Sequence, residues 1–261
     1  MTGGYRRTPV LQVGADIFCD TSLIARELER RFPTPALFPS DLAAIADAIT
    51  YWAEKRFFRP VSLYVSGSNL EYLPEGLQAD RSVMRGLPPP SPEAMRRAVI
   101  RNAPLARGQL TQIESMLSDG RRWIAGQTMT VADLAVYHAL WFFTARSSKL
   151  AFEIAPFGRI NEWMSRIREI GHGNSTPLSS AEALRVATNA VPAVPRSPKC
   201  FDEDPDLGTM VRIRADDYGL DPVEGKLLYF DTNEVAISRK DPQVGEVSVH
   251  FPRLGYDLRP L

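Results

Sequence analysis

The sequence holds two cysteines in 261 residues, Cys19 and Cys200, far apart and without metal-type spacing. That excludes a disulfide framework and a thiolate metal centre, and implies reduced thiols of a cytoplasmic protein. Charge of one sign is missing too: 31 Lys and Arg cancel 31 Asp and Glu, and the isoelectric point lies near 6.9. No electrostatic footprint for nucleic acid or an anionic membrane results. The longest apolar run, Leu134–Phe143, is ten residues with His138 inside it, whereas a bilayer span needs about 20. No apolar stretch follows Met1–Arg7 as a signal peptide would require. Histidine is limited to His138, His172 and His250. No pair has metal spacing, and HExxH, Walker A, strand-linked GxGxxG and GxSxG motifs are absent. Secreted, membrane-spanning and disulfide-framework readings fall away together.

Proline, in contrast, is plentiful, and its clusters divide the chain. Phe32–Pro39, Leu87–Pro92 and the stretch from Val191 to Pro205 each contain several prolines. Proline fixes its own φ and pushes the preceding residue out of the helical region, so each cluster ends the element before it. In the first region, Val10–Val13 and Asp16–Cys19 read as strands around Gly14–Ala15, a loop suited to a type II′ hairpin turn. Asp20 and Thr21 then supply cap chemistry to a helix carrying Leu23, Ile24, Leu28 and Phe32. The second region, about 41 to 190, reads as helical. One apolar stripe is Leu42, Ile45, Ile49 and Trp52; another is Ile160, Trp163, Met164, Ile167 and Ile170, with a long helix over Ile100–Leu117 between them. The third region changes period. Short runs at Met210–Arg214, Lys226–Asp231, Glu234–Arg239 and Glu246–Phe251, split by turn residues, predict a small antiparallel sheet.

Five local features stand out. Thr130-Val-Ala-Asp133 has the form of a capping box, with Met129 and Leu134 placed for a hydrophobic staple, and is read as structural. Thr8-Pro9 precedes a strand. A cis bond there would turn the Thr8 backbone outward to grip an extended peptide, but the ordinary trans bond is the expectation from spacing alone. Asp20-Thr21 opens a helix, where free N–H groups and the positive dipole end favour a ligand carboxylate. Thr21 could add its hydroxyl and Asp20 could accept from a ligand ammonium; a plain N-cap is the simpler reading. His138 falls on the stripe Val131, Leu134, His138, Trp141 and is read as a core residue. Tyr5-Arg6-Arg7 is read as a solvated basic tip, with a phosphate or carboxylate contact as the minority reading.

Taken in order, these pieces resemble one family. Thr8-Pro9-Val-Leu, the hairpin, Cys19-Asp20-Thr21-Ser-Leu-Ile-Ala, Phe32-Pro-Thr-Pro-Ala-Leu-Phe-Pro, Trp123-Ile-Ala-Gly and Thr130-Val-Ala-Asp-Leu look like a cytosolic glutathione S-transferase over residues 3 to 170 or so. The resemblance implies a cis bond before Pro9, with the Thr8 backbone gripping the cysteinyl part of glutathione. It also implies that Asp20 and Thr21 hold the γ-glutamyl group, and that Arg7 is the basic residue near the proline. The cofactor implied is glutathione as co-substrate, with no metal. The partners implied are a small-molecule electrophile and a second copy of the chain in a homodimer, with neither nucleic acid nor membrane.

The fold expected is α+β: a partial thioredoxin-like hairpin and helix over 1–33, an all-α domain over 40–190, and a small antiparallel β extension over 206–261. The family's first strand–helix–strand has no counterpart before Pro9. The activating hydroxyl or thiol belongs to that half, so no catalytic residue is assigned in this chain. A two-stranded hairpin is marginal by itself, and strand Val10–Val13 would present an unpaired edge. The natural protein is therefore expected to start upstream of Met1. Function is expected to be glutathione-transferase-like, impaired by the missing half, with a non-catalytic glutathione- or protein-binding module as the alternative.

Overall fold

The computed structural model describes residues 1–74, 76–145, 148–193, 195, 196, 198 and 201–261. Cys200 lies outside the described residues. The chain forms two compact units. One comprises residues 1–31, 81–87 and 175–261, the other residues 32–80 and 88–174.

The first unit is built on a seven-stranded sheet. Strands β1 (Val10–Val13) and β2 (Asp16–Cys19) form the expected hairpin, with Val13 opposite Asp16 across the Gly14–Ala15 loop. Gly14 has φ 63°, the left-handed value a glycine supplies without steric cost. Four further strands match the third region of the sequence: β3 (Met210–Ala215), β4 (Val223–Phe230), β5 (Glu234–Asp241) and β6 (Gly245–Pro252). A last strand, β7 (Tyr256–Pro260), was not foreseen. It is short and charged and, among the described strands, pairs only with β3, ending in a proline that an edge strand tolerates. The sheet order is β1-β2-β6-β5-β4-β3-β7.

The β3–β6 meander is antiparallel, as its turn-separated runs predict. What those runs did not foretell is the seam to the hairpin. Asp16, Ile17 and Phe18 of β2 pair in parallel with Ser248, Val249 and His250 of β6. The hairpin therefore has a sheet behind it and is not the isolated, marginal element expected. On its other side β1 is an edge, as anticipated: among the described strands only β2 pairs with it.

Alternation buries one set of side chains on each strand. Ile17, Cys19, Val211, Ile213, Ile237, Val247, Val249 and Phe251 join Ala187 in one core. Ala187 belongs to helix α9 (Ser180–Thr188), opened by a capping box between Ser179 and Glu182. Phe18 points to the other face and packs with Leu23 and Ile24 of helix α1 (Thr21–Arg31). Burial pushes the Cys19 thiol well above its ordinary pKa, with the nearby Asp20 charge adding to the effect, so it behaves as a small core hydrophobe.

The second unit is helical, as expected. Its elements are α2 (Ala43–Trp52), a π-helical turn over Ala53–Phe57, α3 (Phe58–Ser68), α5 (Pro92–Met116), α6 (Val131–Ala145), α7 (Ala151–Ile154) and α8 (Gly158–Ile170). Helix α4 (Leu77–Val83) passes from this unit to the other. Helix α5 starts where the second proline cluster ends. Ser91 caps it and Pro92 occupies its first turn, where the missing N–H costs nothing.

The predicted stripe of α8 is buried from Ile160 to Ile167, while Ile170 is exposed. The predicted stripe of α2 is buried only in part, Ile49 and Trp52 packing against the helical core. Ala46 and Thr50 face inward, continued by Ala53, and Ile45 is exposed. His138 is also corrected: it lies on the exposed side of α6 and stacks on Phe58 at 4.9 Å, with Leu134 and Trp141 partly exposed beside it. Periodicity identifies a face; it does not say which face turns inward when both are apolar. Among the described residues, no helix is long and apolar enough to cross a membrane.

The capping box at Thr130 takes a different form from the reciprocal pair expected. Asp133 Oδ2 accepts from the Thr130 backbone N–H at 2.9 Å, and its Oδ1 accepts from Ile124 N–H at 2.8 Å and Trp163 Nε1–H at 2.9 Å. One carboxylate thus ties the α6 start, the preceding Trp123–Gly126 turn and α8 together. Asp133 and Thr130 are completely buried.

Candidate functional site

The residues singled out at the two ends of the hairpin come together in the first unit. The Thr8–Pro9 bond is cis, against the expectation from spacing and in line with the resemblance. A second cis bond, Thr34–Pro35, was not anticipated. Pro9 directly precedes β1, and Asp20 directly follows β2. Since β1 and β2 are antiparallel with Val10 opposite Cys19, the hairpin places Pro9 and Asp20 side by side. Thr8, Pro9 and Thr21 are exposed.

Asp20 has φ 76°, a left-handed conformation that Asp tolerates better than most residues. It is a helix N-cap in fact as well as expectation. Its carbonyl accepts the Ile24 N–H at 3.0 Å, and its Oδ1 accepts from the Ser22 N–H at 3.1 Å and the Ser22 hydroxyl at 2.9 Å. Oδ2 faces the opposite way. It accepts from the Tyr256 hydroxyl at 3.0 Å and lies 3.6 Å from an Arg7 terminal nitrogen.

Arg7 is not part of a solvated tip. Its side chain is only 16% exposed, and Tyr5 is buried; Arg6 alone stays exposed. Arg7 Nε donates to the Tyr218 carbonyl at 2.7 Å, and its second terminal nitrogen donates to the same carbonyl and to the Asp217 carboxylate. The guanidinium also lies 5.6 Å from the Tyr218 ring and 5.9 Å from the Tyr256 ring, within cation–π range. Burial opposes its charge, but Tyr256 and Asp217 outweigh that and raise its pKa further.

The Tyr5 and Tyr256 hydroxyls lie 3.3 Å apart. Burial raises the pKa of both, and the Asp20 charge raises them further. Both therefore remain protonated at neutral pH and act as hydroxyl donors rather than phenolates.

This arrangement offers a defined set of recognition groups. The α1 N-terminus presents N–H groups and the positive dipole end, Arg7 a buried cation, Asp20 an anion, and Thr21 an exposed hydroxyl. A peptide with an ammonium and carboxylates would find complementary groups within one small area. Asp217, Tyr218 and Tyr256 were not foreseen. They stand 210 or more positions from Tyr5 and Arg7, and the Asp216–Gly219 stretch carries only a turn signal. No local pattern could have connected them.

Outside this area the first unit holds one more polar cluster. His250 Nδ1 lies 2.6 Å from Glu234 Oε1 and its Nε2 lies 3.0 Å from Asp16 Oδ1, while its ring stacks on Phe18 at 4.3 Å. Arg196 pairs with Glu234 from outside. Among the described residues no group of histidine, cysteine and carboxylate side chains is arranged to hold a metal ion.

Comparison with known proteins gives these positions a context. Residues 101–166 match the family model described as glutathione S-transferase, C-terminal domain. A solved GST-like protein from Pseudomonas syringae is 33% identical, with 100% of this chain and 84% of that chain covered at a TM-score of 0.79. More distant are a glutathione S-transferase from Rhodospirillum rubrum F11, at 18% identity, 71% and 72% coverage and TM-score 0.45, and glutathione S-transferase 1-6 from Anopheles dirus species B, at 17%, 62% and 66%, and 0.41. No curated protein matches the chain. With one third of its residues shared along its entire length with the Pseudomonas syringae protein, and residues 101–166 matched separately, the chain belongs to the glutathione S-transferase family.

Proposed function

We propose that this protein binds glutathione at the Thr8–Pro9/Asp20–Thr21 corner and conjugates it to, or otherwise uses it on, a small electrophile. The observation that carries the reading is the hairpin register that sets Thr8–Pro9 beside the Asp20–Thr21 helix start, with Arg7 3.6 Å from Asp20, in a chain of this family. In this reading the Thr8 backbone pairs with the cysteinyl residue. Asp20 and Thr21 receive the γ-glutamyl end, and Arg7 attracts a carboxylate. Pro9 fixes the turn of the backbone that presents Thr8.

The chemistry that follows is thiolate attack. A free thiol has a pKa near ~8.5, and a site that favours the anion makes the nucleophile available at neutral pH. The chain's own contribution is to bind and orient the tripeptide beside a positive helix end. No residue is assigned the activating role. The proposal extends to a cytoplasmic homodimer.

The alternative is a non-catalytic module that binds glutathione or a protein without turnover. Calorimetric titration with glutathione, followed by a conjugation assay with a generic aromatic electrophile, separates the two. Binding with turnover supports the enzyme, and binding without turnover supports the module. A folded sample that binds no glutathione overturns both ligand readings. Thr21→Ala is expected to weaken glutathione binding about fivefold, the scale of one lost hydroxyl hydrogen bond; unchanged affinity removes Thr21 from the site.

A further inference from the structure

The groups that a glutathione-like ligand would need are already in use. Asp20 Oδ1 is taken by Ser22 and Oδ2 by Tyr256 and Arg7. Arg7 is held by the Tyr218 carbonyl and the Asp217 carboxylate. Thr8 and Thr21 remain exposed. Half of the corner is open and half is covered, and the cover comes from two elements: the β3–β4 loop with Asp217 and Tyr218, and the first residue of β7, Tyr256.

We propose that Asp217 is an internal competitor for Arg7, occupying the position of a ligand carboxylate and setting the affinity of the site by having to leave when that carboxylate binds. The proposal rests on the glutathione reading of this corner.

The chemistry of the three covering residues differs, and that assigns the moving part. The Tyr218 carbonyl is backbone, anchored where the next residue, Gly219, donates its N–H to the Met84 carbonyl at 2.7 Å. It orients the guanidinium through Nε without adding net charge. Tyr256 is packed against Phe251 at 5.6 Å between ring centres and is fixed in β7 by pairing with Ala215. It is a positioning residue that holds Asp20 Oδ2. Asp217 alone is a side-chain anion in a loop, 42% exposed. It can swing into water, where its charge is well solvated. Its departure leaves a buried cation with an open edge, which favours an incoming anion over an empty site.

An exchange of one carboxylate for another keeps the local charge constant. A neutral or cationic ligand gains nothing from displacing Asp217 and is rejected. The ligand selected at Arg7 is therefore one with a free carboxylate.

The test is calorimetric titration of the full chain with glutathione, using the unaltered protein, Asp217→Asn and Asp221→Asn. Asp221 lies exposed between β3 and β4, so its change removes the same charge from the same region. Asp217→Asn is expected to bind glutathione about fivefold or more tightly, the scale of one partly exposed ion pair, with Asp221→Asn unchanged. Equal affinities for the unaltered protein and Asp217→Asn overturn the competitor role and leave the glutathione reading intact. An equal gain from Asp221→Asn overturns it as a bulk charge effect. Weaker binding by Asp217→Asn also overturns it, because Asp217 would then be helping Arg7 receive the ligand. Failure of all three folded proteins to bind overturns the glutathione reading itself, and the competitor role with it.

Discussion

Replacement of Asp133 by alanine tests the central joint of the helical unit. The carboxylate is completely buried and accepts from three N–H groups at 2.8 to 2.9 Å: Ile124, Thr130 and Trp163. Alanine leaves all three donors without an acceptor in a dry place. Each orphaned donor costs about 1–3 kcal/mol. An opposing effect comes from removing a buried anion that has no ion-pair partner among these donors, since such a charge is itself expensive to bury. The two together leave a net loss of about 3–5 kcal/mol, a large part of the ~5–15 kcal/mol typical of a folded domain.

The assay is urea unfolding followed by tryptophan fluorescence. Trp52, Trp123, Trp141 and Trp163 all belong to the helical unit, so the signal reports that unit alone. The midpoint should fall with the slope unchanged, because the surface exposed on unfolding is the same. Asp133→Asn retains an amide oxygen that can accept part of the network and is expected to lose about half as much. A loss below about 1 kcal/mol in Asp133→Ala would refute the reasoning, since it would mean that water or relaxation satisfies the freed donors.

Two further outcomes concern the framework. Burial pulls the His250 pKa down, but its hydrogen bonds and charge interactions with Asp16 and Glu234 outweigh this and raise it. A raised folded-state value means the contribution is complete below the unfolded pKa of about 6.5 and is lost as pH rises through the folded value. Urea midpoints by far-ultraviolet circular dichroism should therefore fall from mildly acidic to mildly alkaline pH; an equal pH slope in His250→Gln would remove His250 as the cause. In α3, Gly67→Ala gains up to ~1 kcal/mol of helix propensity, but its methyl would sit 3.0 Å from the Met95 carbonyl and closer still to a Val99 methyl of α5. Overpacking of about 1–3 kcal/mol wins, so the variant should unfold at lower urea; a stabilised variant would show that the two helices can move apart.

Much of the architecture is legible in local chemistry. Gly14–Ala15 between two alternating runs defines the hairpin to the residue, because turn geometry and strand period are both short-range. The four strands of the meander are found by the same means, whereas α5 starts at Pro92, eight residues before the Ile100 given by the apolar spacing. The corner of Thr8, Pro9, Asp20 and Thr21 could be assembled from the hairpin alone, since an antiparallel pair brings its two ends together. Where two apolar faces compete, as on α2 and around His138, local pattern does not choose, because the inward face depends on which neighbour arrives.

The sequence by itself determined most strand and helix segments, β7 excepted, and the breaks between them, all set by φ/ψ preferences, capping groups and side-chain period within a few residues; the family resemblance lay in the order of its motifs. Only the tertiary structure decided that β2 pairs in parallel with β6, giving the hairpin a sheet, and that Asp217, Tyr218 and Tyr256 close on Arg7 and Asp20. Those contacts join residues more than two hundred positions apart. They are settled by which buried charge and which open strand edge find partners once the chain has collapsed, a choice no local spacing encodes.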